Sequence, residues 1–240
     1  TMIQTRPHHY SDGETTFIGS LSYDDARPGP RPGVLIAPAF GGLGPLEIAR
    51  AQDLARQGYV ALAVDYYGDG KRADDEAEAS ALMRALNADR PLMARRMICA
   101  LEVLKSLEGV DPGKIGAMGY CFGGKCVLDL ARSGAEFQAV APLHGVYDAP
   151  EMTAPHMVPA ALILHGWDDP LSPPEAVLTL TKELTATCDD WQLLAFGHTG
   201  HAFTNPSAKA PAKGLAFNED ANRRSWAALL AFFAEKLGGA

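Results

Sequence analysis

Short apolar segments alternate along this chain with stretches of helical periodicity, and few folds accommodate that order. Residues 34–37 (VLIA), 59–64 (YVALAV) and 160–164 (AALIL) lack the polar–apolar alternation of a half-exposed strand. Such runs suit strands buried on both faces. Residues 15–23 read as a strand from their β-branched and aromatic content. Residues 114–118, 137–141 and 191–195 add further strands. Between them, residues 46–57 place Leu46, Ala49, Ala51 and Leu54 at helical spacing, and Gly58 ends the run. Helices are also expected over 74–87, 91–107 (with proline at the first turn), 125–132, 175–187 and 219–237. The pattern implies a mainly parallel sheet of about seven to eight strands with helices on both faces. Neither a long linker nor an internal repeat interrupts it, so one domain over 1–240 is expected.

Composition narrows the class. Apolar residues make up 47% of 240, enough to fill a core, which excludes global disorder. A net charge of −8 without a basic cluster argues against nucleic acid or an anionic membrane as partner. No apolar run reaches the ~18 residues needed to span a bilayer. Residues 1–14 are polar, unlike a secretory signal, so the expected location is cytoplasmic. The His8–His9 pair is expected to be solvated on a terminal segment, and neither a metal nor a cofactor is expected. The four cysteines, Cys99, Cys121, Cys126 and Cys188, are too sparse for a disulfide scaffold and lack zinc-type spacing. In a reducing compartment each is either core filler or chemistry.

One cysteine has the context for chemistry. Gly119-Tyr120-Cys121-Phe122-Gly123 fits G-x-C-x-G between a strand and a helix, a nucleophile elbow with cysteine in the serine position. Tiny flanking residues let strand and helix approach across a strained turn. The helix then aims its amino end at the thiol, which favours a thiolate. An acid and a histidine should follow in chain order. Residues 165–170 (HGWDDP) supply Asp169, which precedes Pro170, with Asp168 as the fallback. Residues 196–203 (FGHTGHAF) supply His201, preferred over His198 for its adjacent glycine and nearby Phe203. Oxyanion donors would be the backbone N–H of Phe122 and one from Ala39 or Phe40.

These residues together resemble the dienelactone hydrolase family of α/β-hydrolases. The resemblance spans nearly the whole chain, through YVALAVDYYG, GYCFGG, GWDDP and HAFTNP. It implies an α/β-hydrolase fold and a Cys–Asp–His triad, Cys121, Asp169 and His201, acting on a small-molecule ester or lactone. Founding members carry a loop glutamate that assists the cysteine; here Ala39 stands there. They also carry an arginine four residues after the triad histidine, where this chain has Asn205. A further family arginine maps to Arg84, Arg90 or Arg72 without a choice among them, and Arg90 also fits an ordinary helix start. His144 falls where the family has a pocket-lining residue and equally fits a structural role. Tyr120 and Phe203, beside the nucleophile and the histidine, complete the candidate pocket. The expected substrate is therefore less acidic than dienelactone, and the expected assembly a monomer or weak homodimer. The competing readings of Cys121 are a redox-sensing thiol and a non-catalytic binding scaffold. Cys99, Cys126 and Cys188 read as packing residues.

Overall fold

The computed structural model describes residues 2–238. Its strands are β1 (Ile3–Ser11), β2 (Thr16–Asp24), β3 (Arg31–Ala37), β4 (Val60–Ala63), β5 (Val110–Tyr120), β6 (Ala139–Leu143), β7 (Ala160–Gly166), β8 (Trp191–Phe196), β9 (Lys209–Ala210) and β10 (Leu215–Ala216). Its helices are α1 (Pro45–Arg56), α2 (Glu76–Asn87), α3 (Arg90–Ser106), α4 (Phe122–Arg132), α5 (Pro174–Thr187) and α6 (Glu219–Leu237). Eight strands form one sheet in the order β1-β2-β4-β3-β5-β6-β7-β8. The β1–β2 and β2–β4 pairs are antiparallel, and every pair from β4 to β8 is parallel.

Side chains of β3 show why its run is wholly apolar. Leu35 and Ala37 point into a core shared with α3, α4 and α5. Val34 and Ile36 point to the other face, into a core shared with α1 and α6. Successive strand residues face opposite sides, so a sheet covered on both faces needs apolar residues at every position. The parallel order brings the carboxyl ends of β3, β5, β6, β7 and β8 to one edge, where ligands of open α/β sheets bind.

The N-terminal segment departs from expectation. Residues 3–11 form edge strand β1, paired with β2 from Ile3↔Asp24 to Ser11↔Thr16. Tyr10 alone of its residues is buried, stacked on Phe17 at 5.1 Å between ring centroids. Most β1 side chains face solvent, so the strand carries little of the apolar signal that marks its neighbours. His9 is exposed and His8 half-buried. A second departure is the short β9–β10 ribbon inside what reads as a plain loop. Helix α4 starts at Phe122 rather than near Lys125, which tightens the elbow.

All four cysteines are free. Cys126 is buried, its Sγ 3.5 Å from Met93 Sδ. Cys99 is only half-buried on α3. Cys188 lies just beyond α5, where its thiol donates to the Pro159 and Asp190 carbonyls at 3.4 and 3.3 Å. Among the described residues, no helix is long and apolar enough to cross a membrane.

Candidate active site

Cys121 sits between β5 and α4 with φ 55° and ψ −115°, a strained conformation for any residue with a Cβ. Its backbone N–H donates to the Leu143 carbonyl at 3.1 Å, which ties the elbow to β6. The flanking glycines are required by space. A Cβ on Gly123 would collide with the carbonyls of Ala37 and Pro38, and one on Gly119 with the backbone of Gly123. Strand β3, strand β5 and α4 therefore meet backbone to backbone. Cys121 remains partly exposed at the amino end of an 11-residue helix.

The loops after β7 and β8 bring an acid and a base together. His201 Nδ1 lies 2.7 Å from Asp169 Oδ2, with the two side chains 3% and 0% exposed. The other carboxylate oxygen of Asp169 accepts the Leu171 N–H at 2.8 Å, which fixes its rotamer. Burial works against a charged imidazole here. The hydrogen bond to Asp169 and the neighbouring Cys121 thiol outweigh it, lifting the His201 pKa from 6.5 to about 10. His201 Nε2 is buried and, among the described residues, has no hydrogen-bond partner. The β9–β10 region holds the histidine backbone: His201 N–H donates to the Gly214 carbonyl at 2.7 Å, and Ala216 N–H to the His201 carbonyl at 3.2 Å.

Phe122 follows Cys121 at the start of α4, and Phe40 lies in the loop after β3. Among the described residues, neither the Phe122 N–H nor the Phe40 N–H engages an acceptor. The Ala39 N–H does, reaching Glu47 Oε1 at 3.4 Å.

Residues 18–237 match the dienelactone hydrolase family. The chain belongs to that family. The α/β-hydrolase superfamily follows with it, and so does an enzyme that cleaves esters or lactones. A dienelactone hydrolase-like promiscuous phosphotriesterase from metagenomic libraries has a very similar structure. Its TM-score is 0.93 at 38% identity, over 98% of this chain and 99% of that one. An uncharacterized Caenorhabditis elegans protein is 34% identical over 149 residues, covering 58% of this chain and 91% of its own. A Bradyrhizobium protein named as a probable 2-oxo-3-(5-oxofuran-2-ylidene)propanoate lactonase is 28% identical over 200 residues, covering 74% of this chain and 77% of its own.

The remaining candidate residues of this dienelactone hydrolase family member fall into separate places. His144, at the end of β6 with φ 39°, is buried against the His201 and Phe203 rings, each 5.1 Å away between centroids. Its Nε2 shares a hydrogen bond with Thr204 Oγ1 at 2.8 Å. Burial, then repulsion from His201, holds its pKa well below the ordinary range, so the ring is neutral. Phe203 is fully buried and packs on Phe196 and His144, supporting the histidine loop from behind. Tyr120 is buried in the core on the α1–α6 face rather than in a pocket. Arg90 is engaged elsewhere. It reaches Asp129 at 2.6 and 2.8 Å and Asp148 at 3.0 Å, in a network with Lys125 and Arg132 that ties α3 to α4. Arg84 is exposed near the end of α2.

Arg72 and Asn205 do share a space. Together with Ala39, Phe40, Glu47 and the start of α2 they line an open groove of about 590 Å³. Several contributors have no local signature. His165 is buried at the end of β7, its Nδ1 sharing a hydrogen bond with Tyr147 Oη at 3.1 Å. Gly214, a loop residue by sequence, supplies the carbonyl that anchors His201. The only hint of the β9–β10 ribbon was its glycine- and proline-rich composition.

Proposed function

We propose that the chain hydrolyses a carboxylic ester or lactone with Cys121 as nucleophile and His201 and Asp169 as its base and orienting acid. One observation carries the reading: a buried His201–Asp169 pair at 2.7 Å leaves Nε2 unpaired beside a positive-φ cysteine at a helix amino end. An imidazole of raised basicity holds the thiol proton, and the thiolate attacks the acyl carbon. The S–C bond forms as the carbonyl becomes an oxyanion. The N–H groups of Phe122 and Phe40 stabilise that charge. The C–O bond then breaks, and His201 passes its proton to the departing alkoxide. Water, deprotonated at Nε2, attacks the thioester; the C–S bond breaks and the thiolate returns.

The groove beside Phe40 points to the substrate class. Four carboxylates line it, Glu47, Asp74, Asp75 and Glu76, against one guanidinium, Arg72. Ala39 and Asn205 stand where founding family members place a glutamate and an arginine. A dianionic substrate would forgo a charge-assisted contact of roughly 1.5–3 kcal/mol at Asn205. A neutral or weakly acidic ester or lactone suits this lining better. Phosphotriesters belong in the same screen, given the 38%-identical neighbour.

Wild type and Cys121→Ala should be assayed against p-nitrophenyl esters, lactones, thioesters and a phosphotriester. The expected result is turnover by wild type, an acyl mass on Cys121, and loss of about 10³-fold or more in the variant. Full activity in Cys121→Ala would overturn the assignment.

A further inference from the structure

Resting on that reading, we infer that Tyr66 and Tyr67 are positioning residues for the oxyanion hole, holding the loop after β3 so that Phe40 rather than Ala39 presents its N–H. Tyr66 Oη faces the carbonyls of Pro38 and Ala39 at 2.8 and 2.7 Å. Tyr67 Oη donates to the Phe40 carbonyl at 2.7 Å. The carbonyls of three consecutive loop residues are thus pinned by two neighbouring hydroxyls. Glu47, the third residue of α1, holds the same loop from the other side. It accepts the Gly44 N–H at 3.0 Å and the Ala39 N–H at 3.4 Å. With Ala39 occupied, Phe40 is the next N–H along the loop that engages no acceptor among the described residues.

The tyrosines are themselves braced. Asp65, buried at the turn after β4, accepts N–H bonds from Tyr67, Gly68 and Gly70 at 3.1, 2.8 and 2.7 Å. It also accepts the Ile18 N–H from β2 at 3.0 Å. Arg96, on α3, donates to the Tyr66 and Tyr67 carbonyls at 2.8 and 3.0 Å. The Tyr66 ring packs edge-on against Phe122, with centroids 5.7 Å apart, so the brace touches the elbow as well as the loop. Burial raises both phenols above their ordinary range, which keeps each a hydroxyl donor. A donor displaced by about 1 Å from a developing oxyanion can cost on the order of 10²-fold in rate. The rigidity of this loop is therefore a catalytic quantity, and the two hydroxyls set it.

The test separates steps that need the hole from those that do not. Iodoacetamide alkylation of Cys121 requires the thiolate but no oxyanion. Acylation by a p-nitrophenyl ester requires both. Tyr66→Phe, Tyr67→Phe and the double variant keep ring and packing. Expected is a kcat loss of about 10-fold in the single variants and about 10²-fold in the double, with KM and the alkylation rate within about twofold of wild type. Acylation at the wild-type rate in the double variant would overturn the inference. So would equal slowing of alkylation and acylation, which would mark a general structural defect. Wild-type protein that takes no acyl group at Cys121 would overturn the nucleophile assignment and this inference together.

Discussion

Two His–Asp pairs rise from the same two loops, and they differ in almost every physical respect. Asp168 and Asp169 are adjacent in the loop after β7; His198 and His201 are three residues apart in the loop after β8. Asp169 and His201 meet at 2.7 Å with 0% and 3% of their side chains exposed. Asp168 and His198 stand 4.0 Å apart with 57% and 104% exposed. An exposed pair at that distance is screened by water and contributes about 0–1 kcal/mol. A buried, directly bonded pair is strongly coupled, and removing one partner strands the other charge. Burial thus makes one pair able to shift a pKa and hold a tautomer while the other is ordinary surface. His198 also adopts a positive φ of 54°, so backbone strain alone does not single out a functional histidine.

The comparison breaks most directly on activity. His201→Ala should lower kcat for the best ester by about 10⁴-fold, whereas His198→Ala should stay within about twofold. Comparable losses in both variants would remove the distinction. Asp169→Asn should cost about 10³-fold by disturbing the imidazole tautomer, with Asp168→Asn unchanged, as measured by steady-state kinetics on the same ester.

Stability sharpens the contrast. His201→Ala leaves Asp169 buried without its partner and should cost about 3 kcal/mol by urea unfolding. The pH dependence carries a definite sign. The folded-state pKa of His201 is raised from 6.5 to about 10, so the protonated ring favours the native state. That contribution is complete below about pH 6.5 and is lost as pH rises through about 10. Asp169→Asn should flatten this part of the stability curve, and His198→Ala should leave it unchanged. Gly214→Ala should give the smallest loss, about 1–3 kcal/mol. Its φ is 70°, and a Cβ there would lie 2.8 Å from Pro170 Cδ. Because Gly214 anchors His201, kcat should fall with stability; an unaltered melting curve would show that the ribbon is not a rigid support.

Much of this was legible along the chain. Buried parallel strands such as Val60–Ala63 announce themselves, because both faces must be apolar. Helix ends were marked by Gly58 and by Pro91. The elbow was legible because backbone approach leaves only glycine at positions 119 and 123. Edge strand β1 was not, since a mostly solvated strand has little apolar signal. The β9–β10 ribbon was not, since two-residue strands carry no period. Arg90 illustrates the same limit. Its type suggested substrate binding, but its contacts are to Asp129 and Asp148, and no local pattern reveals which carboxylates a guanidinium will meet.

By itself, the sequence determined the strand–helix alternation, the glycine-flanked cysteine and the order of acid and base behind it. These are local properties, written in periodicity and in side-chain size. Only the tertiary structure decided that Asp169 meets His201 across 32 residues, that Asp168 and His198 stay in water, and that Glu47 and two tyrosines pin the loop after β3. Burial and long-range hydrogen bonding do not exist until the chain closes on itself, and those two quantities separate the buried, carboxylate-bonded His201 from the solvated His198.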